Sequence, residues 1–97
     1  MNKTMIKTEA EINLMRESGR LLAQVFKMLD SYIGEGITTL EIDTQVDAYI
    51  VDVLNARPAS KGQYGYQFSL NSSVNDVVCH GVPSNTYKLK SKDIVNI

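Results

Sequence analysis

Apolar positions in the first third of the chain recur every three or four residues, the spacing of one face of an α-helix. The stripe consists of Ile12, Met15, Gly19, Leu22, Phe26, Leu29 and Ile33. Thr8 and Glu11 precede it in the Thr-x-x-Glu arrangement of a capping box, in which both side chains bond to free backbone amides at a helix start. The pattern therefore predicts a first helix over residues 9–33, followed by Gly34 as a residue suited to a helix end.

A second capping box, Thr38 to Glu41, opens the next periodic segment. Its predicted buried residues are Leu40, Ile42, Val46, Tyr49, Ile50 and Val53, and its predicted solvent-facing acids are Glu41, Asp43, Asp47 and Asp52. Proline cannot continue a helix, so Arg57-Pro58 should end it. We expect a second helix over residues 39–56, antiparallel to the first because the connection is short.

Beyond Pro58, glycine, serine and asparagine interrupt short runs of strand-forming residues. Apolar and polar residues alternate in 66–71, which predicts a half-buried strand, and the runs at 77–80 and 93–97 predict two more. The fold class is therefore α+β, with two antiparallel helices followed by short antiparallel strands in a single domain, 1–97. Since the sequence stops inside an apolar run, we expect this domain to be incomplete.

Composition places the chain among small globular domains. Its 97 residues are 43% hydrophobic and 22% charged, and no apolar run approaches the roughly 18 residues of a membrane span. Residues 1–7 lack the apolar core of a secretory signal, and the single Cys79 cannot form an internal disulfide. Both features favour the cytoplasm.

Charge argues against a nucleic-acid partner. The formal net charge is −1, so the chain has no general attraction for phosphate. Lys88, Lys90 and Lys92 alternate, and we interpret them as a solvated sheet edge protected from aggregation.

The candidate chemistry centres on His80, the one histidine of the chain. A lone histidine on a half-buried strand is more often structural than catalytic, and both interpretations stay open on spacing alone. Cys79 and His80 are not expected to form a catalytic dyad, because neighbouring strand residues point to opposite faces. Cys79 is therefore predicted to be a small core residue. Asp76 would lie about 13 Å from His80 along a strand, and no second histidine completes a metal site. The Gly62-x-x-Gly65 spacing predicts a tight turn.

Residues 72–84, with the sequence SSVNDVVCHGVPS, resemble the Ser-x-Asn-Glu-x-Val-x-His-Gly-Ile-Pro segment of type I methionine aminopeptidases, in peptidase family M24. Residues 6–20 are similar to the opening helix of that family, and residues 36–43 are similar to the start of its second helix. Residues 88–97 resemble the family's Leu-Lys-x-Gly-Asp-Ile-Val-Asn-Ile-Asp segment, up to the residue before its final Asp.

The resemblance implies the N-terminal part of a pita-bread fold. The intact family enzyme holds two divalent metal ions with two aspartates, a histidine and two glutamates, all of which would lie beyond Ile97, so no metal ligand is expected here. By the same resemblance, His80 is the catalytic histidine beside the scissile peptide. Tyr66 would line the pocket for the substrate methionine side chain, and Ser60 and Gln63 occupy pocket positions where many bacterial members carry Cys and Tyr.

Departures from the family pattern argue against strict methionine selectivity. Besides Ser60 and Gln63, Gln67 replaces a usual Pro and Asp76 replaces a usual Glu. The function implied is removal of N-terminal methionine from peptides and nascent proteins by a metal-dependent aminopeptidase, of which this chain is an N-terminal fragment that is inactive alone.

Two other hypotheses stay open at this point. One is a non-catalytic, truncated pita-bread protein that binds peptides or a protein partner, and the other is a purely structural α+β fragment. Neither nucleic acid nor a membrane is an expected partner. Self-association of the chain is expected, because the apolar faces of both helices would lack their usual cover.

Overall fold

A computed structural model describes residues 6–97, so most of the segment 1–7, on which the absence of a signal was argued, lies outside the described residues. Helix α1 spans Glu9–Tyr32, one residue short of the predicted end. Its capping box is complete: the Thr8 amide donates to Glu11 Oε1 at 2.8 Å, and the Glu11 amide donates to Thr8 Oγ1 at 3.2 Å. Local sequence therefore determines where α1 begins.

Helix α2 spans Thr39–Ala48 and begins at the second predicted cap. The Thr38 hydroxyl accepts a hydrogen bond from the Glu41 amide at 3.1 Å, which satisfies one of the free donors of the first turn. Thr38 also forms an antiparallel bridge with Lys88, so the start of α2 is tied to a distant segment of the chain.

The second helix ends earlier than predicted, and Pro58 is not the residue that stops it. After α2 the backbone widens into a π-helical turn, Tyr49–Val53. Asn55 then adopts a left-handed conformation with φ of 52°, and the Ala56 amide donates to the Ile50 carbonyl at 2.9 Å. This is the pattern of a left-handed helix cap, a role for which asparagine is suited.

Both helices and one loop residue form the buried core. Its members are Val25, Leu29, Ile42, Val46 and Leu89, of which Ile42 is 0% exposed. Within residues 6–97 no helix is both long enough and apolar enough to cross a membrane.

The predicted apolar stripe of α1 is buried only in part. Leu29 is buried, but four of its members, Ile12, Met15, Leu22 and Phe26, are between 39% and 59% exposed. The α1 residues that enter the core, Val25 and Leu29, lie in the C-terminal half of the helix. Most of the apolar face of α1 is therefore open to solvent.

One two-stranded antiparallel sheet is present in the described part of the chain. Strand β1, Ser73–Val74, pairs with β2, Val95–Asn96, so that Ser73 faces Asn96 and Val74 faces Val95. The strand predicted at 93–97 is thus reduced to two residues.

The strands predicted at 66–71 and 77–80 are not formed, and both predictions were wrong. In the first segment, the amides of Ser69 and Leu70 donate to the Asp43 carboxylate and are not available to a neighbouring strand. In the second, the Val77 amide donates to the Val74 carbonyl and closes a turn instead of extending β1.

Candidate functional site

An open cleft of about 600 Å³ lies beside the segment that joins the second helix to β1. It is lined by Ala59, Ser60, Gln63, Tyr64, Gly65, Tyr66, Asn71, His80 and Val82. The four residues selected from the sequence, Ser60, Gln63, Tyr66 and His80, all lie in its wall. Residues 60–71, which carry three of the four, are called the cleft loop below.

A tight turn shapes the first half of the cleft loop. Gly62 and Gly65 both have positive φ angles, 87° and 79°, which residues with side chains rarely adopt. Between them lies a 3₁₀ turn, Gln63–Gly65, and the Gly62 amide donates to the Tyr66 carbonyl at 2.7 Å. The Gly-x-x-Gly spacing thus forms the predicted turn, which places Gln63 and Tyr66 in the same wall of the cleft.

Tyr66 is fixed at both ends of its side chain. The ring packs edge-to-face against Phe68, with centroids 5.7 Å apart, and the hydroxyl donates to the Leu70 carbonyl at 2.9 Å. Burial raises the pKa of the Tyr66 phenol, and the nearby Asp43 charge raises it further. The phenol is therefore neutral near pH 7 and its oxygen stays a hydrogen-bond donor.

Asp43 is buried beneath the cleft loop, contrary to the prediction that it faces solvent. Its side chain is 7% exposed, and Oδ1 accepts hydrogen bonds from the Ser69 amide at 2.8 Å and the Leu70 amide at 3.0 Å. Burial raises the pKa of this carboxyl, and the two backbone donors oppose that shift. A sequence signal was present, because Asp43 lies three residues before the apolar Val46, a spacing that puts both residues on the buried face of the helix.

Asp47 lies one helical turn further along α2 and also contacts the cleft loop. Its Oδ1 accepts hydrogen bonds from the Ser69 hydroxyl at 2.7 Å and from Lys61 Nζ at 2.9 Å. These two donors, the hydroxyl first, hold the pKa of the Asp47 carboxyl below its usual value. One oxygen atom thus joins the two ends of the cleft loop.

His80 occupies an unusual backbone position. Its φ of 58° lies in the left-handed region, and the residue lines both this cleft and a second one of about 520 Å³. The next residue, Gly81, packs so closely on β1 that an added Cβ would lie 2.1 Å from the Ser72 carbonyl oxygen. Hydrogen bonds from Ser72 N to Gly81 O at 2.7 Å and from Gly81 N to Ser73 Oγ at 3.0 Å fix this contact.

Three residues near His80 were either predicted wrongly from the sequence or not identified by it. Cys79 is exposed, so its prediction as a core residue was wrong, because the left-handed turn at His80 ends any strand alternation. Asn71 also lines the cleft, although the alternation at 66–71 makes it one of the polar positions of a predicted strand, and no local pattern identifies it as a cleft residue. The Ser72 hydroxyl is buried without a hydrogen-bond partner in the described part of the chain.

Comparison with known proteins assigns the chain to a family. The sequence model of metallopeptidase family M24 matches residues 13–97, and the chain belongs to that family. Its fold is the α+β, N-terminal portion of a pita-bread fold.

Within the family, the chain is similar to methionine aminopeptidases. It is 47% identical to the one from Salmonella typhimurium and 45% identical to the one from Escherichia coli, each over 92 residues that cover 95% of the chain and 35% of the relative. The crystal structure of methionine aminopeptidase from Rickettsia prowazekii superposes with a TM-score of 0.85 at 34% identity, covering 93% of the chain and 36% of that structure. The chain therefore spans about a third of the length of these relatives.

Methionine aminopeptidases of this family depend on metal ions. Within residues 6–97, no three or more His, Cys, Asp or Glu side chains come together in a way that could hold one. The described residues therefore do not fit a catalytic metal.

Proposed function

We propose that this chain supplies the substrate cleft and the catalytic histidine of an enzyme that removes N-terminal methionine from peptides and nascent proteins in the cytoplasm. The observation that carries the proposal is the convergence of Ser60, Gln63, Tyr66 and His80 on one cleft. The first and the last of these residues lie twenty positions apart in the sequence, and only the fold brings them together.

In this proposal, His80 hydrogen-bonds the scissile peptide. An imidazole N–H can donate to a carbonyl oxygen, and the bond strengthens as negative charge develops on that oxygen during attack on the peptide. The close contact of Gly81 with Ser72 and the turn at His80 limit backbone movement. The backbone that carries the ring is therefore held in place before substrate arrives, and such positioning favours stabilisation of developing charge.

The His80 assignment can be tested in the full-length protein with a Met-initiated tripeptide. His80→Ala should lower kcat on the order of 100-fold, the loss typical of one positioned donor, with little change in melting temperature or metal content. His80→Asn is the matched control for the backbone, because asparagine tolerates the left-handed conformation but lacks the imidazole. Near-normal turnover per folded molecule in both variants would show that His80 is structural.

The wall of the cleft also suggests relaxed selectivity for the first residue of the substrate. Ser60, Gln63 and Asn71 are polar residues in this wall. Even an apolar pocket discriminates between substrate side chains by only about 1–3 kcal/mol per methylene-sized change, and a wall with less apolar surface should discriminate less. Gln63→Tyr should raise the preference for methionine over norleucine, measured as the ratio of kcat/KM values. An unchanged ratio would mean that residue 63 does not contact the substrate side chain.

The alternative proposal is a protein that binds peptides without catalysis. It is favoured because all the residues that line the cleft, from Ala59 to Val82, belong to this chain, so the chain forms this cleft by itself. The 97-residue chain alone would then bind a Met-initiated tripeptide in a calorimetric titration and release no free methionine. Release of methionine by the chain alone would contradict both this alternative and the expectation that the chain is inactive.

A further inference from the structure

The cleft loop has little regular structure of its own. Its first half is closed by the turn at Gln63–Gly65 and its second half by the hydrogen bond from the Tyr66 hydroxyl to the Leu70 carbonyl. Neither contact connects the loop to the rest of the molecule. Its position relative to His80 must therefore be set by other groups.

Two carboxylates of α2 provide that connection. Asp43 receives the Ser69 and Leu70 amides at one end of the loop, and Asp47 receives Lys61 Nζ at the other end and the Ser69 hydroxyl. The two acids lie four residues apart, so they lie on the same face of the helix. Because α2 also carries Ile42, the most deeply buried side chain of the core, the helix that bears these two acids is anchored in the core.

We propose that Asp43 and Asp47 are positioning residues that fix both ends of the cleft loop to α2 and thereby set the position of Tyr66 in the substrate cleft. The link to Tyr66 runs through Leu70, whose amide donates to Asp43 and whose carbonyl accepts a hydrogen bond from the Tyr66 hydroxyl. The substrate part of this inference rests on the proposed function. The structural part concerns the loop and Tyr66 and can be tested without it.

Asp43→Ala removes the acceptor of two backbone amides, whereas Asp43→Asn retains an acceptor oxygen in the same place. We expect the Ser69 and Leu70 amides of Asp43→Ala to exchange with solvent about tenfold faster than in the wild type, as local opening becomes easier. The Tyr66 ring resonances should shift, while amides of α1 and α2 keep their protection. Asp43→Asn should restore both readings, and Asp52→Asn, which removes an exposed acid from the same helical segment, should leave them unchanged.

Free L-methionine serves as the probe of the cleft, titrated against the Tyr66 resonances of the full chain. Its Kd should rise about tenfold in Asp43→Ala, because a small misplacement of a binding wall has a large effect on affinity. A double variant, Lys61→Met with Ser69→Ala, removes the contacts of Asp47 while leaving both acids in place. It should weaken methionine binding and shift Tyr66, and it decides the question if Asp43→Ala does not fold.

Unchanged Tyr66 resonances and unchanged Leu70 exchange in a folded Asp43→Ala would overturn the proposal. If Asp43→Ala does not fold, unchanged Tyr66 resonances in the double variant would overturn it. If the wild-type chain shows no saturable response to methionine, the proposed function fails. Amide exchange and the Tyr66 resonances still decide the positioning role in that case, so the two failures are distinguishable.

Discussion

The helical region, residues 9–54, and the loop region, residues 55–97, are stabilised in different ways. Within the helices of the helical region, backbone amides bond to carbonyls four residues earlier, or five in the π-helical turn Tyr49–Val53, and the side chains mainly supply caps and apolar contacts. In the loop region, where each strand has two residues, backbone amides bond to side chains such as Asp43 and to carbonyls far along the chain. Local shape in the loop region therefore depends on individual side chains, and the candidate site lies there.

Asp93 illustrates this dependence within the loop region. Its Oδ1 accepts a hydrogen bond from Asn75 Nδ2 at 2.9 Å, and its Oδ2 accepts from the Tyr87 hydroxyl and the Lys90 amide, both at 2.8 Å. The backbone amide of Asn75 in turn donates to the Ile94 carbonyl, next to β2. One carboxylate thus connects three segments that form no continuous sheet.

The largest effect is expected where the two regions share a core. Ile42→Ala should reduce the free energy of unfolding by about 2–5 kcal/mol, the cost of removing a fully buried aliphatic side chain, and both regions should unfold together. Urea denaturation followed by helical circular dichroism and by Tyr66 resonances measures this. Ile94→Ala, at a side chain that is 72% exposed, is the control and should change the stability little. Loss of the loop region alone in Ile42→Ala would show that the two regions do not share a core.

A substitution confined to the loop region should have a smaller and more local effect. Gly81→Ala places a Cβ against the Ser72 backbone, which cannot yield as a flexible side chain would. We expect a loss of about 1–3 kcal/mol, typical of overpacking, with a shift of His80 resonances and little change in helix content.

The matched control for Gly81→Ala is Gly19→Ala in α1, where an added Cβ meets no atom within 4 Å. That change should stabilise the helix by roughly 0.5–1 kcal/mol, because alanine loses less backbone freedom than glycine on folding. Equal effects of the two substitutions would contradict the contrast between the regions.

The smallest expected effect is a pH dependence of the loop region. Hydrogen bonds from Asn75 first, then from the Lys90 amide and Tyr87, hold the pKa of Asp93 below its usual value. A lowered folded-state pKa means that the contribution is present above the ordinary pKa of aspartate and is lost as the pH falls through the lowered value. Asp93→Asn should therefore flatten the acid side of the stability curve of the loop region. An identical curve for the variant and the wild type would rule out this role.

How much the sequence could predict also differs between the regions. Thr8 and Thr38 marked both helix starts, because caps depend on residues three positions apart. The alternation at 66–71 was misleading, since the acceptor for that segment is Asp43, more than twenty residues earlier, and single-sequence patterns do not show such pairings. The α+β class and the family could be predicted, the latter from the motif around His80. The role of His80 stays a prediction.

The left-handed backbone at His80 favours different residues for stability and for the proposed catalysis. A residue with a side chain is disfavoured there by roughly 1–2 kcal/mol, whereas glycine is not and asparagine is disfavoured less. A library randomised at position 80 and selected only for thermal tolerance should therefore become enriched in glycine and asparagine. The same library selected for turnover should retain histidine, so the two selections would rank the residues at one position in opposite orders.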